Sequence, residues 1–324
     1  MNDKIEYEIV NEFYEDDEYT TIEIEQNLGD VALCTLSAFV LGNFDIRDQE
    51  KVEELAMVMV RALDNLLDYQ DYPVKEALKA KKRRSLGIGV TNFASHLADN
   101  FLTYDDANEF THMTFERLQY ALIKASVQLA KEKGACELMN ETRYGRGELP
   151  IDWYKKTVDE LVEPVYEMDW EALREDLKKY GIRNSTLSAL MPCESSSQVS
   201  NSTNGIEPPR GIVSVKGSKD GQFNQVIPNI ENNADIITLL WDMIKQGNRS
   251  YLTQAAIMQK FVDQAISTNT SYDPSQYKTG KVSLQDVIAD MLFAQYYGLK
   301  SLYYANVRDG ADGTEESECS ACKL

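Results

Sequence analysis

Histidine is almost absent from this chain: 324 residues contain two, His96 and His112. A zinc site would therefore have to come largely from cysteine. The five cysteines, Cys34, Cys136, Cys193, Cys319 and Cys322, include a single Cys-x-x-Cys pair. Structural zinc wants four ligands, so no metal is expected on this chain. No apolar run approaches the ~20 residues of a membrane helix. The opening Met1-Asn2-Asp3-Lys4-Ile5-Glu6 has no basic segment followed by an apolar one, so no signal peptide is expected. Positive charge is also short, with 33 Lys and Arg against 53 Asp and Glu and a formal charge of −20. Polyanions would be repelled, which argues against nucleic acid or a membrane surface as a partner. An odd cysteine count without a secretion signal favours a reducing cytoplasm.

What remains reads as a soluble globular chain, 43% hydrophobic and 27% charged. At this length roughly 75% of the unfolded surface is buried on folding, so no disulfide or metal staple is needed. Residues 1–26 hold ten acids and one base, Lys4, yet Ile5, Tyr7, Ile9 and Thr20, Ile22, Ile24 alternate with polar positions. This pattern fits a solvated acidic tail as well as edge strands or a docking arm. A small-residue apolar run spans Val31 to Leu41. From Glu50 to Tyr69 one helical stripe carries Val52, Leu55, Ala56, Met59, Leu63 and Leu66. Lys79 to Arg84, with five basic residues in six positions, reads as an exposed connection. Leu86-Gly87-Ile88-Gly89-Val90 suggests a close-packed strand or turn. Helical patterns recur at about 106–132, 151–162, 169–180, 233–246, 250–267 and 283–297. Lys300 to Tyr304 has strand character. Helices alternating with short apolar strands predict an α/β fold. Residues 308–324 are nearly free of apolar side chains and are expected to form a mobile tail.

Several residues could carry chemistry. Cys319-Ser320-Ala321-Cys322 can close a small disulfide ring, and neighbours can lower the attacking thiol's pKa. The tether from Asp309 to Cys322 reaches about 45 Å when extended, enough for the pair to visit two places. A surface pair without function is the plainer reading of that spacing. Cys34, Cys136 and Cys193 read first as buried small hydrophobes. Tyr303 and Tyr304 are ordinary filler unless they are oxidised. A phenol with a pKa near 10 would lose its proton together with its electron. Adjacent side chains of a regular strand face opposite ways, so a stacked pair requires irregular backbone. Pro192-Cys193-Glu194-Ser195-Ser196-Ser197 could hold a phosphate if it opens a helix. Around it, residues 183–216 are rich in neutral hydrogen-bonding groups, as a buried polar site would be.

Together these segments resemble the large (α, catalytic) subunit of class Ia ribonucleoside-diphosphate reductase, of the enterobacterial and T-even phage type. The likeness rests on Val31-Ala32-Leu33-Cys34-Thr35-Leu36-Ser37-Ala38-Phe39, Leu86-Gly87-Ile88-Gly89-Val90 and Arg183-Asn184-Ser185-Thr186-Leu187-Ser188 through Pro192. Asn204-Gly205-Ile206-Glu207-Pro208-Pro209-Arg210-Gly211, Tyr303-Tyr304, Arg308-Asp309-Gly310-Ala311 and the last cysteine pair add to it. It runs in order from about Asn27 to Leu324.

The resemblance implies roles. Cys34 looks like one of two active-site cysteines that reduce the substrate and become a disulfide. Tyr303 and Tyr304 look like paired tyrosines relaying an oxidising equivalent from a small subunit. Pro192, Cys193, Glu194, Ser195 and Ser196 look like the loop that binds the substrate diphosphate, where the family commonly has Ser in place of Cys193. Cys319 and Cys322 look like the tail dithiol that re-reduces the active site, with closer spacing than is usual. The family's radical-bearing cysteine lies in an Asn-x-Cys-x-Glu loop, and no cysteine here has those neighbours.

The chain thus looks like the C-terminal part of a split α subunit. Its expected parts are an acidic extension able to dock (1–26), the second half of a ten-stranded α/β barrel (27–307) and a mobile redox tail (308–324). The implied partners are an N-terminal α fragment carrying the radical cysteine, a small subunit, thioredoxin or glutaredoxin, and a ribonucleoside diphosphate. The diiron-tyrosyl cofactor is expected on the small subunit. The expected location is the cytoplasm, the host's if a phage encodes the chain. Two other readings stand beside this one: a non-catalytic assembly or regulatory paralogue, and a stand-alone dithiol oxidoreductase.

Overall fold

Thr35–Val40 runs parallel to Leu86–Thr91, in a register that sets Thr35 beside Leu86 and Val40 beside Thr91. The computed structural model describes residues 8–9, 24–25, 31–209, 211–218, 221–232 and 247–307. A third extended segment joins at the parallel bridge Ile88–Ser188, where the Leu86 N–H donates to Thr186 O (3.0 Å) and the Ile88 N–H to Leu187 O (2.8 Å). A fourth joins at Leu190–Ile266, with the Gln264 N–H donating to Ser188 O (3.1 Å) and the Ser267 N–H to Leu190 O (2.9 Å). It continues into Thr270–Tyr272, which pairs in parallel with Ala305–Val307. These five neighbours follow chain order. Parallel neighbours need long crossovers, and helices supply them. This is a parallel α/β run, and among the described residues Thr35–Val40, at its start, pairs with one strand only.

The helices fold for local reasons. Asp48 caps Gln49–Tyr69 by accepting the Lys51 N–H (3.1 Å). Val52, Ala56, Val60, Leu63 and Leu67, spaced by three or four, form its buried stripe. Asn108–Lys133 packs along it, and the exposed pairs Arg61–Glu132 and Lys124–Glu53 (both 2.7 Å) bridge the two. This second helix is covered on most sides, so several of its polar residues, Glu116 and Gln119 among them, are buried. Each such group needs a partner. Glu116 accepts the backbone N–H groups of Glu167 and Met168 (both 3.0 Å) and the Trp170 indole N–H (2.9 Å).

Several sequence expectations change. Lys79–Arg84 is no exposed connection: Ala80–Arg83 is a short helix and Arg84 is buried, its guanidinium against Asp64 (2.6 Å) and Asp68 (2.9 Å). The 151–162 pattern breaks into Pro150–Trp153 and a 3₁₀ turn at Lys156–Glu160, because Tyr154 is extended. The 250–267 pattern is helical only over Arg249–Gln259, and its remainder joins the strands. Residues 301–304 are irregular, and the strand there is Ala305–Val307. The helices expected at 106–132, 169–180 and 283–297 form as Asn108–Lys133, Trp170–Tyr180 and Leu284–Tyr296. The N-terminal alternation is met by a short antiparallel pair, Glu8–Ile9 with Ile24–Glu25. The helix expected at 233–246 and the tail 308–324 lie outside the described residues.

Candidate active site

Cys34 stands just before Thr35–Val40, partly buried, with its thiol over the neighbouring strand. Gly87 makes that seat: a Cβ there would lie 2.6 Å from Cys34 Sγ and 2.6 Å from Leu36 Cδ2. Gly89 has the same function a pleat further along, where a Cβ would lie 2.6 Å from Ala189 O. Alternate residues of a strand share a face, so Leu86–Thr91 presents a groove on the Cys34 side. The Gln264 side-chain N–H points at Cys34 Sγ from 3.8 Å. Burial pushes the Cys34 thiol above its ordinary pKa, and the Gln264 bond pulls the other way.

The loop Pro192–Ser196 does open a helix, Glu194–Val199. Cys193 precedes that helix with left-handed backbone (φ 57°), and its buried thiol points at Val90 O (3.6 Å). Burial raises the Cys193 pKa as well. This side chain is thus committed to the strand. Glu194, Ser195 and Ser196 are exposed. Ser197, buried beneath them, donates to Asn204 Oδ1 (2.6 Å), and Asn204 Nδ2 donates to Glu194 Oε2 (2.7 Å). The next residue, Gly205, has φ +43°, and a Cβ there would sit 3.1 Å from Pro192 O. Asn92, also left-handed, donates to Leu41 O (2.7 Å) and accepts the Thr203 N–H (3.0 Å). The loop thus sits past the carboxyl ends of the strands, where open α/β folds usually bind ligands.

Tyr303 and Tyr304 lie against each other with ring centroids 4.0 Å apart and planes tilted at 48°, both exposed. The irregular backbone that such a pair requires is present. The Tyr303 N–H donates to Thr268 O (2.8 Å), but the Tyr304 N–H goes to the Asn269 side chain (3.0 Å), not to a backbone carbonyl. Asn269 also donates to Glu207, in the segment that follows Gly205. One amide therefore links the tyrosine pair to the chain beyond the Pro192 loop.

Gln264, Asn269, Asn204 and Glu207 were missed as site residues from sequence. Asn204 and Glu207 fall in the neutral polar stretch 183–216, but Gln264 and Asn269 sit in no motif. Cys319 and Cys322 lie outside the described residues. Among the described residues no group of three His, Cys, Asp or Glu side chains could hold a metal. Cys136 is buried, its pKa pushed up to about 11 by burial, and it takes no part in the site.

The described residues thus bring together a thiol seated on paired parallel strands, a helix-opening loop at their carboxyl ends and two tyrosine rings in close contact. The family described as ribonucleotide reductase, barrel domain, matches residues 7–305, and the chain belongs to it. Its relatives include ribonucleoside-diphosphate reductase α subunits. It is 62% identical to that of Enterobacteria phage T4 over 312 residues, covering 94% of this chain and 41% of the relative. It is 56% identical to that of Haemophilus influenzae over 302 residues, with 92% and 39% covered. With the α subunit of ribonucleoside-diphosphate reductase 1 of Escherichia coli the identity is 54% over 271 residues, with 80% and 35% covered. The chain thus spans about two fifths of the length of these relatives. No helix among the described residues is long and apolar enough to cross a membrane.

Proposed function

We propose that this chain is the C-terminal portion of a ribonucleoside-diphosphate reductase α subunit and works with another stretch of polypeptide that carries the radical cysteine. The carrying observation is the shared scaffold: the strand beginning at Gln264 contacts the Cys34 thiol at one end and Tyr303-Tyr304 near the other. A thiyl radical on the complementary segment takes the 3′-hydrogen of the bound nucleotide and later returns it. The 2′-hydroxyl leaves as water. Cys34 and a second thiol give up two electrons and two protons and close as a disulfide. Cys319 and Cys322 re-reduce that disulfide by thiol exchange, and thioredoxin or glutaredoxin takes the oxidation away.

The Pro192–Ser196 loop holds the diphosphate through backbone N–H groups and the Ser195 hydroxyl, because the Cys193 side chain is turned to Val90 O. Tyr303 and Tyr304 pass the oxidising equivalent, each losing proton and electron together. That equivalent enters from a separate small subunit, whose diiron-tyrosyl centre generates it. The exposed apolar face of Leu284–Tyr296, with Leu284, Ile288, Met291 and Leu292, supports a protein partner.

Reconstitution with a complementary α segment, a small subunit, effector and reductant tests this by deoxynucleotide yield. Tyr304→Phe is expected to abolish turnover, because its ring cannot be oxidised at the same potential. Cys319→Ser is expected to block turnover with thioredoxin while sparing one round driven by pre-reduced thiols. Full turnover by the Tyr304→Phe chain would end this reading.

A further inference from the structure

We propose that Gln264 is the positioning residue of the Cys34 thiol: its side-chain N–H holds negative charge on that sulfur whenever the sulfur ionises. Gln264 Nε2 lies 3.8 Å from Cys34 Sγ, 2.8 Å from Leu86 O and 3.3 Å from Ser188 O. Carbonyl oxygens only accept, so the nitrogen and not the oxygen of this amide must face the three groups. Its two hydrogens serve three acceptors. One goes to Leu86 O, and the second is shared between Ser188 O and the sulfur. A thiolate is the stronger acceptor and draws the shared hydrogen over. Ser188 O loses little, because it keeps the Gln264 backbone N–H at 3.1 Å.

The residue is fixed at its other end too, where its carbonyl accepts from Gln259 Nε2 (2.8 Å) and Lys300 Nζ (3.4 Å). The charged groups nearby face elsewhere. Lys300 Nζ also donates to Asp263 O (2.5 Å) and Val262 O (3.0 Å), on the backbone side of the turn. The Asp263 carboxylate accepts from Tyr144 OH (2.5 Å) and the Leu187 N–H (2.7 Å). Burial raises the pKa of the Cys34 thiol and the Gln264 bond lowers it, and the thiol itself faces Thr35 O from 4.0 Å.

This role deepens the proposed function and rests on reading Cys34 as a reducing thiol. When the active-site disulfide is opened, a tail thiolate attacks the partner sulfur and forms a new S–S bond to it. The old bond breaks and its electron pair leaves on Cys34 Sγ, where the Gln264 N–H meets it. A proton then comes from water. An ionised leaving sulfur departs faster when its charge is stabilised.

The experiment reads the bond apart from the reaction. Cys34 alkylation by iodoacetamide is followed against pH in the full chain by peptide mass spectrometry, which separates Cys34 from the other cysteines. Gln264→Met keeps the volume and removes the donor. It should move the Cys34 midpoint up by about one pH unit, an about tenfold slower reaction below the midpoint, and leave the high-pH plateau unchanged. Gln264→Glu should move it at least as far, because a carboxylate replaces the donor. In the native chain the Gln264 side-chain amide proton should shift in NMR with the same midpoint. A midpoint unmoved in folded variants, a change in the plateau alone, or an amide resonance flat across the Cys34 titration would each overturn the assignment. None of these readouts needs nucleotide, so failed turnover in the reconstituted complex would be recognised separately.

Discussion

At the scale of single residues, burial decides how protons are held. His96 and His112 are both held down to about 4, chiefly by burial, with Arg47 and Lys260 respectively adding to the effect. Unfolded, they would titrate near 6.5. Between those values the unfolded chain binds protons that the folded chain refuses. Stability is therefore full above about pH 6.5, falls through the window and stays reduced below pH 4, by up to about 3 kcal/mol for each histidine. Urea midpoints at pH 7.5 and 4.5 should show this fall, and His96→Gln with His112→Gln should flatten it. Asp68 acts in the same direction but lower in pH: its hydrogen bond to Arg84 lowers its pKa, so its contribution is lost only below the ordinary carboxylate range. The two windows separate in a pH series. Cys34, the Pro192–Ser196 loop and the tyrosine pair were singled out in the sequence through the family resemblance, because by residue type alone each has a plainer structural reading. Gln264 and Asn269 were not, because a lone amide has no motif and gains its role from strand register.

At the scale of elements, one buried carboxylate ties three of them. Asp64 on Gln49–Tyr69 is fully buried and meets Arg84 Nε (2.6 Å), just before the second strand, and Asn184 Nδ2 (3.2 Å), just before the third. Arg183 (3.3 Å) and Lys133 (3.6 Å) complete its surroundings. Asp64→Ala would leave buried Arg84 with only the half-exposed Asp68 carboxylate. Removing one partner of such a pair typically costs about 3–5 kcal/mol, and equilibrium urea unfolding should register a loss of that size. Breaking an exposed pair such as Lys51–Glu54 should give no comparable loss in the same assay. The helix stripe was readable from the sequence. The basic run 79–84 was misread as exposed, because local charge density does not reveal that two aspartates wait one helix away.

At the scale of the whole molecule, the parallel run begins at an edge. Among the described residues Thr35–Val40 pairs with one strand, and Val31, Leu33 and Leu36 beside that edge are exposed apolar side chains. Unpaired edges with apolar neighbours invite another chain. Mixed with a complementary α segment, this chain should form a stable complex by light scattering. Leu33→Asp should weaken that complex at least about tenfold while changing the chain's own stability by less than about 0.5 kcal/mol. Equal affinity for the variant would place the junction elsewhere.

The order of residues by itself determined the α/β class, the main helices, the family likeness and the residue types of the chemistry. All of these follow from periodicity and short motifs read within one stretch of chain. Tertiary structure alone decided which amide faces the Cys34 sulfur, why glycine stands at position 87, how the two tyrosine rings come into contact and where Arg84 hides its charge. Each depends on register between segments tens to hundreds of residues apart, and a one-residue slip would turn every one of those side chains to the opposite face.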